Sequence, residues 1–125
     1  MTKKILESGE DYLETILILQ HRNGEVRSID IAAELEYSKP SVSVAMKNLR
    51  ESECILVDRN GYITLTEKGK EIAERVYERH LLFTGWLTSM GVPEEIAARD
   101  ACRIEHCLSA ESFEAIKSYV KKHSE

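Results

Sequence analysis

Cys102, Glu105 and His106 stand at i, i+3 and i+4 in a chain of 125 residues. On a helix these side chains share one face, with Cβ atoms about 5–6 Å apart, close enough to hold one ion. Thiolate, carboxylate and imidazole all bind first-row transition metals well. Asp11 and Glu14 form a second same-face pair at i and i+3, and His80 falls on the inner side of a helical pattern that includes Val76 and Phe83. Each group also has an ordinary reading: a solvated acidic face, a core histidine, a small buried thiol. Three ligand types on one segment, with more on two others, favour a divalent transition metal. Cys54, before an apolar β-rich run, reads as core, and Cys107 lies about 100° round the helix from His106. His21, placed in a loop, and His123, near the end, read as solvated.

A second constellation suits nucleic acid. From Ser38 to Arg50 the chain carries Lys39, Lys47 and Arg50 and no acid. A major-groove helix needs short polar side chains at its start so that its backbone can approach the base edges. Ser38, Ser41 and Ser43 meet that need, and Pro40 offers an apolar contact to a thymine methyl. Lys39, Lys47 and Arg50 can neutralise phosphates, with Arg27 before a short helix and Arg59 at a hairpin tip as further phosphate candidates. The competing reading is a small helical subdomain with solvated lysines.

The elements that must position these groups follow from periodicity. Residues 8–20 have a helical apolar spacing, closed by Asn23-Gly24. Ser28, as N-cap, starts a short helix with Ile31, Ala32 and Leu35 inside. Pro40 suits the first turn of a third helix, capped by Ser38 and carrying Val42, Ala45, Met46 and Leu49 at helical spacing. Two β-rich runs flank Asp58-Arg-Asn-Gly, a strong hairpin signal. A long helix then runs from Thr66 to Met90-Gly-Val-Pro, another from Pro93 through Ile104 to Leu108, and a last one from its Ser109 N-cap to Lys121-Lys122. Helices joined by a sharp turn and followed at once by a hairpin make a winged helix-turn-helix. The expected fold is therefore mainly α, with a winged helix-turn-helix over 1–70 and an all-helical domain over 71–125.

Bulk properties set the frame. With 42% hydrophobic and 31% charged residues the chain has the composition of an ordinary globular protein. It has no apolar run long enough for a membrane helix and no signal-peptide pattern in MTKKILESGEDYLE, so a cytoplasmic location and no membrane partner are expected. Three cysteines, an odd number, read as free thiols in a reducing compartment. A net charge of −5 argues mildly against nucleic acid on average, but partners feel local fields.

The runs Glu10-Asp-Tyr-Leu-Glu, Ser38-x-Pro-Ser-Val-Ser, Leu65-Thr-x-Lys-Gly, Arg79-His80-x-Leu and Asp100-Ala-Cys-Arg-Ile-Glu-His span the chain. On these runs it resembles the diphtheria toxin repressor family of metal-dependent transcriptional regulators. The resemblance implies a homodimer with a DNA-binding winged helix and a helical dimerisation and metal-binding domain, in a short form without the SH3-like domain of the iron-sensing branch. It implies ligands at Asp11, Glu14, His80, Cys102, Glu105 and His106, and base contacts from Ser38 and Pro40. Asp11 follows the manganese branch and Cys102 the iron branch, whereas Thr84 and Ala98 replace ligands of the iron branch's ancillary site. Manganese or iron(II) is the expected metal, with cobalt, zinc and cadmium as alternatives. The expected function is repression, on double-stranded operators of metal-uptake genes, by a homodimer that metal locks into a DNA-binding geometry. Two readings remain beside it: a metal-independent winged-helix regulator, and a metalloenzyme, for which no separate general base is visible.

Overall fold

The computed structural model describes residues 7–123. The opening lysines that entered the signal-peptide argument lie outside the described residues. The elements are α1 (Glu7–Asn23), α2 (Ser28–Leu35), α3 (Lys39–Glu51), β1 (Ile55–Val57), β2 (Ile63–Leu65), α4 (Glu67–Ser89), α5 (Glu94–Ile104) and α6 (Ala110–His123). This is the expected mainly helical order, with the hairpin directly after the third helix. The chain divides into two compact units, 1–75 and 76–125, and the boundary falls inside α4.

The N-terminal unit is built on apolar residues at helical spacing. Leu13, Ile16 and Leu17 of α1, Ile31 of α2, and Val42, Met46 and Leu49 of α3 are buried, as are Ile55 and Ile63 of the hairpin. Each such side chain stabilises by about 1.5–3 kcal/mol when fully withdrawn from water. β1 and β2 pair antiparallel with Leu56 opposite Thr64, and the Val26 carbonyl accepts from the Ile63 N–H at 2.7 Å, so the segment before α2 is tied to the hairpin. At the turn the Asp58 carboxylate accepts from the Asn60 and Tyr62 N–H groups at 2.8 and 2.9 Å. Gly61 takes the left-handed conformation there, φ +85°, which costs glycine little.

Three local expectations are corrected. Ser28 does not cap α2: the cap is Arg27, whose N–H donates to the Asp30 carboxylate at 2.9 Å. Asp30 closes the turn from inside, so a serine cap is not needed. His21 lies in the last turn of α1 rather than in a loop, although it is exposed as expected. The helix placed from Pro93 to Leu108 ends at Ile104. The apolar period runs on past the point where the backbone stops bonding as an α-helix, because periodicity reports which side faces in, not which amide bonds which carbonyl.

In the C-terminal unit Phe83, Ala101 and Phe113 form the core, with Leu82, Trp86, Ile104, Leu108 and Ile116 packed against it. Phe83 and Phe113 meet edge to face, centroids 6.0 Å apart. Ser109 caps α6 as expected, accepting from the Ser112 N–H at 3.1 Å.

Candidate metal centre and nucleic-acid interface

Because α5 ends at Ile104, its three ligand candidates are not three points on one helical face. Cys102 is in the last helical turn, Glu105 is the C-cap, and His106 lies in the turn beyond. The Cys107 N–H bonds the Ile104 carbonyl at 3.0 Å, a tighter closure than the α-helical one. The consequence is a gathering that spacing did not specify. His80 Nδ1 reaches from α4 to within 2.9 Å of Glu105 Oε2. One donor atom each from His80, Cys102 and Glu105 lies within 4.8 Å of the others.

Burial sharpens the chemistry. The Glu105 side chain is 0% exposed, His106 2% and His80 21%, while Cys102 is exposed. Glu105 Oε1 is buried and makes no hydrogen bond; it lies 3.5 Å from His106 Nε2. A buried carboxylate oxygen without a hydrogen bond costs free energy unless a cation or proton meets it. An imidazole, a thiol and a half-satisfied carboxylate in one place fit a divalent transition metal. Asp11 and Glu14 stand on α1 in the other unit, Asp11 half-buried and Glu14 buried. Cys54 is buried and Cys107 exposed, with its Sγ donating to the Arg103 carbonyl at 3.3 Å. Neither belongs to a donor cluster among the described residues.

The second constellation is assembled by α3. Ser38 caps it and Pro40 occupies the first turn. The Ser38 hydroxyl accepts from the Ser41 N–H at 3.3 Å and donates to Ser41 Oγ at 2.8 Å. The cap ties the two hydroxyls to each other at the start of the helix. Ser38, Lys39, Pro40, Ser41, Ser43, Lys47 and Arg50 are all exposed. Two grooves flank the helix: one of about 170 Å³ lined by Ser28, Ser43, Lys47 and Arg50, another of about 200 Å³ lined by Ser28, Ile29, Lys39 and Ser43. Arg59 is exposed in the hairpin turn. The Arg27 guanidinium lies over the Tyr62 ring, 4.3 Å from its centroid, which holds that cation beside the wing.

Two residues to which the sequence assigns no role stand out in the structure. Val44 is 61% exposed on α3, a large apolar side chain among polar ones, and that break in pattern was the available signal. Arg79 is buried; the signal was a charge at the inward spacing shared by Val76 and Phe83.

Residues 4–69 match the family described as iron dependent repressor, N-terminal DNA binding domain. Residues 66–125 match iron dependent repressor, metal binding and dimerisation domain. The transcriptional regulator MntR of Escherichia coli O6:H1 (strain CFT073) is 36% identical over 114 residues, 91% of this chain and 74% of that protein. The HTH-type transcriptional regulator MntR of Bacillus subtilis (strain 168) is 36% identical over 118 residues, 94% and 83% of the respective chains. The structure of the manganese regulator SloR superposes with a TM-score of 0.81 at 27% identity, covering 90% of this chain and 53% of that one. ScaR with bound Zn2+ gives 0.72 at 25% identity, covering 90% and 53%. The chain thus spans about half the length of these solved relatives.

Proposed function

The chain belongs to the iron dependent repressor family, and from that premise we propose that it is a metal-dependent transcriptional repressor whose co-repressor is manganese or iron(II). His80, Cys102, Glu105 and His106 would hold the ion, with Asp11 and Glu14 as the ligands on α1. A bound divalent cation supplies positive charge that lets clustered carboxylates, a thiolate and an imidazole stay together. Since α1 belongs to the DNA-binding unit, occupancy would be linked to the placement of α3. Two recognition helices in a homodimer would then meet half-sites about one helical turn, roughly 34–36 Å, apart. Repression of metal-uptake genes, in the cytoplasm, follows as the physiological reading.

One observation carries this: the fully buried Glu105, with one oxygen on His80 and the other without a hydrogen bond, beside a thiol at ligand distance. Thiolate at Cys102 favours iron(II), cobalt, zinc or cadmium more than an all-oxygen set would. The relatives named as manganese regulators favour manganese.

Operator binding tests the proposal. Duplexes selected from a random pool on the manganese-loaded protein should be retarded in a gel only with manganese, iron(II) or cobalt present. Equal retardation without metal, or no change in Cys102→Ala, would sink the reading and leave a metal-independent winged-helix regulator. The His80–Glu105 pair, 2.9 Å apart, is the feature that favours this second reading, since it satisfies part of the cluster internally. Calorimetry separates the two, because the rival shows no saturable metal binding.

A further inference from the structure

The exits of the first four helices share a backbone device. A left-handed residue follows each: Gly24 after α1 at φ +83°, Glu36 after α2 at +57°, Glu53 after α3 at +62° and Gly91 after α4 at +96°. That conformation folds the chain back, so that N–H groups beyond the helix reach its last carbonyls. α5 lacks it. Glu105 stays right-handed, φ −59°, ψ −21°, and the turn from Glu105 to Ser109 contains no positive φ. The exit that carries Glu105 and His106 has the single tight Cys107 N–H to Ile104 carbonyl bond and no such reversal beyond it.

Arg79 closes it from α4. Its Nη1 donates to the Glu105 carbonyl at 3.1 Å and to the Leu108 carbonyl at 2.8 Å, gripping the turn at both ends. The guanidinium lies 5.1 Å from the Phe113 ring centroid, and the residue is 8% exposed. A guanidinium cannot shed its proton in a protein, so the grip does not depend on pH. A cation so buried is tolerated only where carbonyls and a ring face replace its water. Its Nε makes no hydrogen bond, so the arrangement is not one that maximises polar satisfaction of Arg79 itself.

We propose that Arg79 is the positioning residue of the metal centre: by holding the 105–108 turn it fixes Glu105 and His106 at the spacing a divalent cation requires. This rests on the metal reading above. Lysine keeps the charge but not the flat guanidinium that lies against the Phe113 ring, so Arg79→Lys restores only part of the function.

Cobalt(II) titration of the full chain provides the test. The wild type should saturate and show a thiolate-to-cobalt charge-transfer band from Cys102. Arg79→Met should bind cobalt and manganese about tenfold or more weakly, with a shifted cobalt spectrum. Arg79→Lys should fall between, and the metal-free circular dichroism of both should match the wild type. Wild-type affinity and spectrum in both variants overturn the proposal. So does an affinity loss that disappears once the unfolded fraction, measured without metal, is divided out. If Arg79→Met does not fold, Phe113→Leu decides: it removes the ring under the guanidinium but keeps an apolar side chain there, and unchanged cobalt affinity overturns the proposal. Failure of the wild type itself to bind cobalt or manganese removes the metal reading, and this proposal with it; that outcome is distinct from the others.

Discussion

Cys54 is buried, and that burial pushes its thiol pKa up against the opposing pull of Lys68, whereas Cys102 and Cys107 are exposed. A raised pKa means the fold favours the neutral thiol. Its contribution is complete below the ordinary thiol range and is lost as pH rises through the raised folded value. Alkylation of the native protein near pH 8, read by mass spectrometry, should therefore modify Cys102 and Cys107 and spare Cys54 until denaturant is added. Cobalt or zinc should slow Cys102 alone; equal protection of Cys107, or none of Cys102, would contradict the ligand assignment. Metal preference should follow the same side chain. Cys102→Asp replaces a soft donor by a hard one, so the ratio of zinc to manganese affinity in competition titrations should drop by an order of magnitude or so.

Among the described glycines, Gly69 at the start of α4 leaves the least room for a side chain. A Cβ on Gly69 would lie 2.0 Å from the Cys54 carbonyl oxygen. That carbonyl accepts from the Thr66 N–H at 3.0 Å, and the Thr66 hydroxyl donates to the Glu53 carbonyl at 2.7 Å while capping Gly69 N–H at 3.1 Å. Backbone cannot retreat from such a contact without breaking those bonds. Gly69→Ala should cost about 1–3 kcal/mol in urea unfolding, and an unchanged midpoint would show that the junction relaxes freely. The third helix, α3, was far more legible. Its serine cap, its proline in the first turn and its four-residue apolar period all point one way, so local and tertiary preferences agree. At α5 they part, because the apolar period continues to Leu108 while the hydrogen bonding does not.

For the whole molecule the property at stake is association between copies. The C-terminal unit leaves Leu81, Met90, Ile96 and Tyr119 exposed in the stretch that matches a dimerisation domain. A second copy is the partner that the match implies, and apolar side chains are what such an interface buries. Leu81→Asp with Ile96→Asp should sediment as a monomer and lose operator binding at all metal concentrations, since a single recognition helix lacks the second half-site. A dimer that persists in the double variant would place the interface elsewhere. Among the described residues no helix is long and apolar enough to cross a membrane.

Sequence by itself determined the class of the fold, the winged helix-turn-helix and the polar, cationic character of α3, and it offered the ligand candidates. These are properties of local spacing, capping and charge, which a chain carries before it folds. Tertiary structure decided what spacing could not. It ended α5 at Ile104, brought His80 across to Glu105, left one Glu105 oxygen buried without a hydrogen bond, and turned Arg79 into the clamp of that exit. Each of these depends on residues at least 25 positions apart, His80 to Glu105 at the nearest, or on where a helix stops bonding. Periodicity names the face a residue shares; only packing names its partner, because the distance between two faces is set by the side chains that fill the space between them.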